Sequence, residues 1–106
     1  MQIQISVEGE GAIAATTDLF SMPDINGTWE PVEETEREAV LATVGTIVGI
    51  VGGSLAIAEQ LRKWYKEYHA GKNGKTIEKA LLVGRNGQRI LLQNASLEQI
   101  KQILES

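Results

Sequence analysis

The chain has no cysteine. Disulfides and thiolate metal sites are therefore excluded, and the lack suits a reducing compartment. Histidine occurs once, as His69. With no pattern of Cys, Asp or Glu ligands around it, His69 reads as a helix-end surface residue rather than a metal ligand or a base. The opening MQIQISVEGEG has no basic stretch leading into an apolar one, so a signal peptide is not expected. Bases are also scarce, 10 against 14 acids, for a net charge of −4. That balance argues against general nucleic-acid binding. Glu33, Glu34, Glu36 and Glu38 cluster, and read as the first turn of a helix with carboxylates at the positive end of its dipole. Ser54 lacks a nucleophile elbow and a triad partner, and the glycines between 45 and 53 lack the GK[ST] ending of a phosphate loop. No catalytic group, metal or cofactor is expected, and the chain reads as not an enzyme.

Charge is missing most completely from Ala39–Ala58, AVLATVGTIVGIVGGSLAIA, 20 positions with no charged residue and no proline. That length meets the requirement for a bilayer-spanning helix. Within it Ala42, Gly45, Gly49, Gly52 and Ala56 follow at spacings of 3, 4, 3 and 4, and Gly53 extends the every-fourth repeat of Gly45 and Gly49. On a helix they form a narrow stripe of small side chains, which lets a second helix or a sheet approach closely. Ala42, Gly45, Gly49, Gly52, Gly53 and Ala56 are thus the expected helix-packing and oligomerisation residues. The same composition makes a poor helix in water, since glycine costs about 0.5–1 kcal/mol against alanine and β-branched residues also lose. Val44–Val51 by itself passes for a strand. Only burial, in lipid or in protein, makes this segment the expected apolar helix and candidate membrane-inserting segment.

The flanks of the run differ. Residues 1–38 hold nine acids and one base, whereas the stretch just after the run carries Arg62, Lys63, Trp64, Tyr65, Lys66 and Tyr68, with Lys72 and Lys75 beyond. Aromatics mixed with lysines are what a membrane-anchored helix shows at its cytoplasmic end. These six are therefore the expected membrane-interface residues, with an anionic membrane as partner. The alternative is the solvated end of an amphipathic helix, with Leu61, Trp64, Tyr65 and Tyr68 recurring on one side.

Around the run the chain reads as a single domain over all 106 residues. Met1–Glu8 alternates as a half-buried strand with one wet face. Ala12–Phe20 suits a short helix. Pro23 and Asn26-Gly27 mark a loop, and Thr28–Val32 a short strand that Pro31 keeps at an edge. Helix is expected from about Glu34 to Ala70, with a break near Gly52-Gly53 and Gly71 as its stop. Thr76–Gly84 and Gln88–Gln93 form a hairpin around Asn86-Gly87. Ser96 caps a final helix with Gln99 as capping-box partner, and Leu97, Ile100, Ile103 and Leu104 make its buried stripe. Both hairpin strands are apolar on both faces, so a layer is expected on each side of the sheet, the last helix on one and the Ala39–Ala58 helix on the other. The expected fold class is α+β: a small mixed sheet of N-terminal strand plus C-terminal β-hairpin, one long glycine-rich apolar helix and a short C-terminal helix.

Three pieces of this order carry a resemblance: the Gly/Ala/Val helix, its basic-aromatic exit Leu61–Lys66, and the hairpin RNGQRILL. The chain resembles the effector-associated constant component family, small accessory proteins of bacterial NTP-dependent conflict systems, over most of its length and best over Val40–Ser106. It departs from the family over Gly9–Thr28, where members carry a fuller amphipathic helix. The resemblance implies a non-enzymatic part in antiviral or stress-triggered cell death, beside a caspase-like or trypsin-like protease or another effector. The expected mechanism keeps the glycine-rich helix buried at rest. A triggered effector then exposes it, and it self-associates into a homo-oligomer, with insertion or pore formation in the inner membrane after a cytoplasmic resting stage. The alternatives are an oligomeric soluble adaptor that scaffolds its effector, and a constitutive single-span membrane protein.

Overall fold

Alternation along the first strand seeds the sheet. In β1 (Ile3–Glu8), Ile3, Ile5 and Val7 are fully buried while Gln4 is exposed and Ser6 and Glu8 are half-buried. That is the period of a strand with one covered face. The structure is a computed structural model that describes residues 2–32, 42–71 and 76–105. Gly9 leaves the strand at φ 140°, where a Cβ would lie 2.7 Å from the Ile77 Cα, so the chain there has no room for a side chain. α1 (Ala12–Phe20) then buries Ala12, Ala15, Thr16 and Leu19. It leads into β2 (Ile25–Pro31), which is bulged between Asn26 and Gly27. β2 lies at the sheet edge, where a proline removes no ladder bond that a neighbour needs.

Ala42–Ile50 is strand β3, which overturns the long glycine-rich apolar helix expected over Ala39–Ala58. Thr43, Val44, Thr46, Ile47, Val48 and Ile50 are β-branched, the composition a pleated and paired surface favours. Pairing supplies the burial that the helix was to find elsewhere: Gly45 lies opposite Ile5 of β1 on one side and Trp29 of β2 on the other. Gly52, at φ 96°, turns the chain, and α2 (Ser54–His69) begins only after Gly53. No helix among the described residues is long and apolar enough to cross a membrane. The helical turn expected at Glu33–Glu38 lies outside the described residues, as do Ala39, Val40 and Leu41.

The C-terminal part follows its turn and cap signals. β4 (Lys79–Val83) and β5 (Arg89–Leu91) form a hairpin closed by the Gly84 N–H donating to the Gln88 carbonyl at 2.8 Å. A 3-10 turn at Leu92–Asn94 leads to α3 (Leu97–Glu105). Its capping box is complete: the Gln99 N–H donates to Ser96 Oγ at 3.1 Å, and the Ser96 N–H to Gln99 Oε1 at 2.9 Å.

The five strands make one sheet in the order β2-β3-β1-β4-β5, with every neighbouring pair antiparallel. The expected small mixed sheet is therefore wrong in size and in strand direction. β1–α1–β2 and β3–α2–β4 each skip one position in the sheet, the split βαβ pairing of ferredoxin-like folds, with β5 and α3 appended. One core joins Ile3, Ile5, Val7, Ile47 and Leu82 of the sheet to Leu19 of α1, Ile57 and Leu61 of α2, and Ile100 and Ile103 of α3. All three helices thus lie on one face. Among the described residues no layer covers the second face, because Ala42–Ile50 of the segment assigned to it is itself a strand.

Candidate functional site

The uncovered sheet face is the first surface of interest. Register fixes its contents: Ser6 at its centre pairs with Val44 on one side and Leu81 on the other, and Leu81 pairs with Leu91. The next row runs Thr28, Thr46, Gln4, Val83 and Arg89. The row below pairs Glu8 with Ala42 and with Lys79. None of these side chains is buried, and Val48, further along the same face of β3, is 50% exposed. Among the described residues the face carries no aromatic side chain.

The small-residue stripe does not survive as a unit. Ala42 lies on the open face, while Gly45 lies on the covered face under the Phe20 ring. Gly49 pairs with Asn26, Gly52 and Gly53 form the turn before α2, and Ala56 is exposed on the first turns of that helix. Successive strand residues point to opposite faces, so spacings of 3 split the set.

The expected membrane-interface group is also divided. Trp64, Tyr65 and Tyr68 are 2%, 5% and 2% exposed, turned into the core rather than outward. Two polar tips are held closely: the Trp64 indole N–H donates to the Ala15 carbonyl at 2.8 Å, and the Tyr68 hydroxyl donates to the Asp18 carboxylate. Burial, then the hydrogen bond and charge of Asp18 and the charge of Glu67, push the Tyr68 phenol up to about 12. Burial also raises the Tyr65 phenol. Arg62, Lys63 and Lys66 stay on the solvent side of α2, half-buried to exposed. An aromatic belt therefore does not exist on this helix, whose rings serve the core and whose cations line grooves.

Grooves run beside those cations. One, of about 390 Å³, is bordered by Glu59, Arg62, Lys63, Lys66, Glu67 and Leu97. A second, of about 260 Å³, lies between α2 and the 3-10 turn and is lined by Arg62, Tyr65, Lys66, His69 and Gln93. His69 sits exposed at the end of α2, with Nδ1 3.1 Å from the Ile77 carbonyl, and its ring stacks on Tyr65 at 5.3 Å. Among the described residues no three His, Cys, Asp or Glu side chains gather in a way that holds a metal ion. Sequence reasoning flagged the cations, but the second groove needs Gln93 beside α2, a contact between residues far apart in the chain. No protein-family model, curated protein or solved structure matches this chain.

Proposed function

We propose that this chain is a non-enzymatic adaptor of a bacterial antiviral or stress-triggered death system. In this reading it pairs with a second copy through the open sheet face, and the pair scaffolds an effector such as a caspase-like or trypsin-like protease. The setting rests on the resemblance at Leu61–Lys66 and RNGQRILL. The pairing rests on one observation, a sheet face that no described element covers, with an acid on its β2 side and bases on its β4–β5 side. This reading makes no use of membrane insertion or pore formation, since Ala42–Ile50 of the segment assigned to them is strand β3 and no helix among the described residues is long and apolar enough to cross a membrane.

Glu30 marks the β2 side of the face, and Lys79 and Arg89 mark the β4–β5 side. A two-fold axis parallel to the strands and over β1 lays β2 of one copy across β5 of the other. It sets Glu30 of one copy over Leu91 of the other, with Arg89 two residues along the same strand. Val44 then falls opposite Leu81, since both flank Ser6 in register. Glu8 meets its own copy near the axis, with Lys79 as its cross-strand neighbour. Edge-to-edge pairing is disfavoured, because β2 carries a bulge and Pro31 and β5 is only three residues long. Strands about 4.8 Å apart and about 20 Å long give a five-stranded face of roughly 450 Å² per copy, about 900 Å² in all, the size of a weak and transient contact.

Sedimentation equilibrium tests the pairing. Wild type is expected to move from monomer to dimer between about 1 and 200 µM. Val44→Glu and Leu81→Glu are each expected to hold it monomeric with an unchanged circular dichroism spectrum. Wild type that stays monomeric throughout, or a dimer that survives both substitutions, overturns the pairing. Phage protection in cells carrying the chain with a protease effector of its own genome is expected to fail with Leu81→Glu. Protection that does not need the chain overturns the setting.

A further inference from the structure

The groove between α2 and the 3-10 turn has the chemistry of an anion site. Arg62, Lys66 and His69 follow at spacings of 4 and 3 on α2, so they share one side of the helix. Their groove, about 260 Å³, is lined by no carboxylate. No described carboxylate pairs with Arg62 or Lys66, in a chain whose net charge is −4. Both cations also border the adjoining groove with Glu59 and Glu67, but on this side they face no carboxylate, so the concave site carries a locally positive lining.

A second observation comes from Tyr65. Its side chain is 5% exposed, yet its hydroxyl finds partners only at 3.4 Å from His69 Nδ1, 3.4 Å from the Glu78 carbonyl and 3.5 Å from Gln93 Oε1. A hydroxyl bond to oxygen is normally about 2.5–3.0 Å, so this buried donor has no short acceptor. An oxygen entering the groove supplies one. His69 Nδ1 faces the Ile77 carbonyl at 3.1 Å, and Nε2 is the nitrogen left without a described partner.

We propose that this groove binds a phosphate monoester. Arg62 and Lys66 match its two charges, the Tyr65 hydroxyl and the Gln93 carboxamide donate to its oxygens, and Leu92 and Ala95 face its ester group. Tetrahedral phosphate oxygens use donors arriving from several directions better than a planar carboxylate does. The volume is below that of a drug-sized ligand site, so the body of the ester is small. The same headgroup occurs on free esters and on phosphatidic acid. The groove lies on the helix layer, away from the open sheet face, so its test is separate from that of the pairing.

The experiment titrates the ¹⁵N-labelled chain with phenyl phosphate and follows amide shifts. Saturable shifts are expected at Tyr65, Gln93 and Ala95, with benzoate binding at least about tenfold more weakly. Arg62→Gln and Lys66→Gln are each expected to weaken binding about tenfold, and Tyr65→Phe about three- to tenfold with spectral dispersion kept. Lys101→Gln, on α3 and paired with Glu105 at 3.5 Å, is expected to leave binding unchanged. A parallel arm measures co-sedimentation with phosphatidylcholine vesicles with and without phosphatidic acid. Binding in the first arm alone assigns the phosphate to a free ester. Binding in the vesicle arm, lost with Arg62→Gln, assigns it to a lipid headgroup. Failure of both arms, equal binding of benzoate, or a loss with Lys101→Gln as large as with Arg62→Gln overturns the site.

Discussion

Replacing Gly45 by alanine is expected to destabilise the chain by about 1–2 kcal/mol. The new Cβ would lie 2.6 and 2.7 Å from Phe20 Cζ and Cε1, and 3.2 Å from Trp29 Cβ. Phe20 is half-buried at the end of α1, so its ring must tilt off the strand to make room. Overpacking of this size costs about 1–3 kcal/mol, while the loss of glycine freedom in the unfolded chain returns about 0.4–1 kcal/mol. Gly49 is the control. Its added Cβ meets nothing closer than Asn26 Nδ2 at 3.9 Å, so Gly49→Ala keeps only the gain. On one open helical stripe both substitutions would stabilise, by about 0.5–1 kcal/mol each. The assay is urea unfolding followed by circular dichroism, with the denaturant dependence unchanged between variants. Gly45→Ala repeated in a Phe20→Ala background is expected to lose its penalty, which ties the cost to that ring. A Gly45→Ala chain as stable as wild type, or more so, refutes the placement of Phe20 over β3.

Two further perturbations test the core. The Tyr68 phenol, pushed from 10.0 up to about 12, keeps its proton in the folded chain after the unfolded chain has lost it. Folding stability is therefore whole below pH 10 and falls as pH rises toward 12, by up to about 2–3 kcal/mol, and Tyr68→Phe should remove that component of an alkaline unfolding series. Thr16 and Thr43 share a buried hydroxyl bond of 2.6 Å between α1 and β3. Thr16→Val strands the Thr43 hydroxyl and should cost about 1–3 kcal/mol in urea melts, while the Thr16→Val/Thr43→Val pair recovers most of it.

The elements with local punctuation were legible. The alternation of Met1–Glu8, the Asn86-Gly87 hairpin and the Ser96/Gln99 capping box each depend on neighbours a few residues away, and each stands where its signal lies. β3 was not legible because its strongest pattern is degenerate. Gly45 and Gly49 are four residues apart, which is about one helical turn and also two pleats of a strand, so either form places them on one side. The spacing of 3 from Ala42 to Gly45 was the discriminating one, since a strand sends those two to opposite faces. The uncharged run then proved to be three things in succession, a strand, a turn at Val51–Gly53 and the first turns of α2. The aromatics after it were legible as an amphipathic helix end but not as core. The sheet that Trp64 and Tyr68 cover is made largely of residues distant in sequence, and the acceptor of the Trp64 N–H lies 49 residues away.

The open face holds two kinds of strand, and the difference bears on how strongly it pairs. An antiparallel sheet with one wet face puts polar residues outward. β1 obeys, with Gln4, Ser6 and Glu8, while its neighbours present Val44 and Val48 on β3 and Leu81 and Val83 on β4. Apolar flanks around a polar centre suit a two-fold stack over β1, because each flank is covered by the opposite one. If half of roughly 450 Å² per copy is apolar, covering both faces yields about 11 kcal/mol at 25 cal/mol per Å². Lost freedom on association takes about 4–15 kcal/mol of that, which leaves a pair of about ten micromolar or weaker. A free chain at low concentration then stays single. Under the proposed adaptor reading, two copies held on neighbouring effector subunits would meet at an effective concentration near millimolar and close without any new contact. In that reading weak self-pairing would let the face report that effectors have gathered, whereas a tight dimer would be paired before and after.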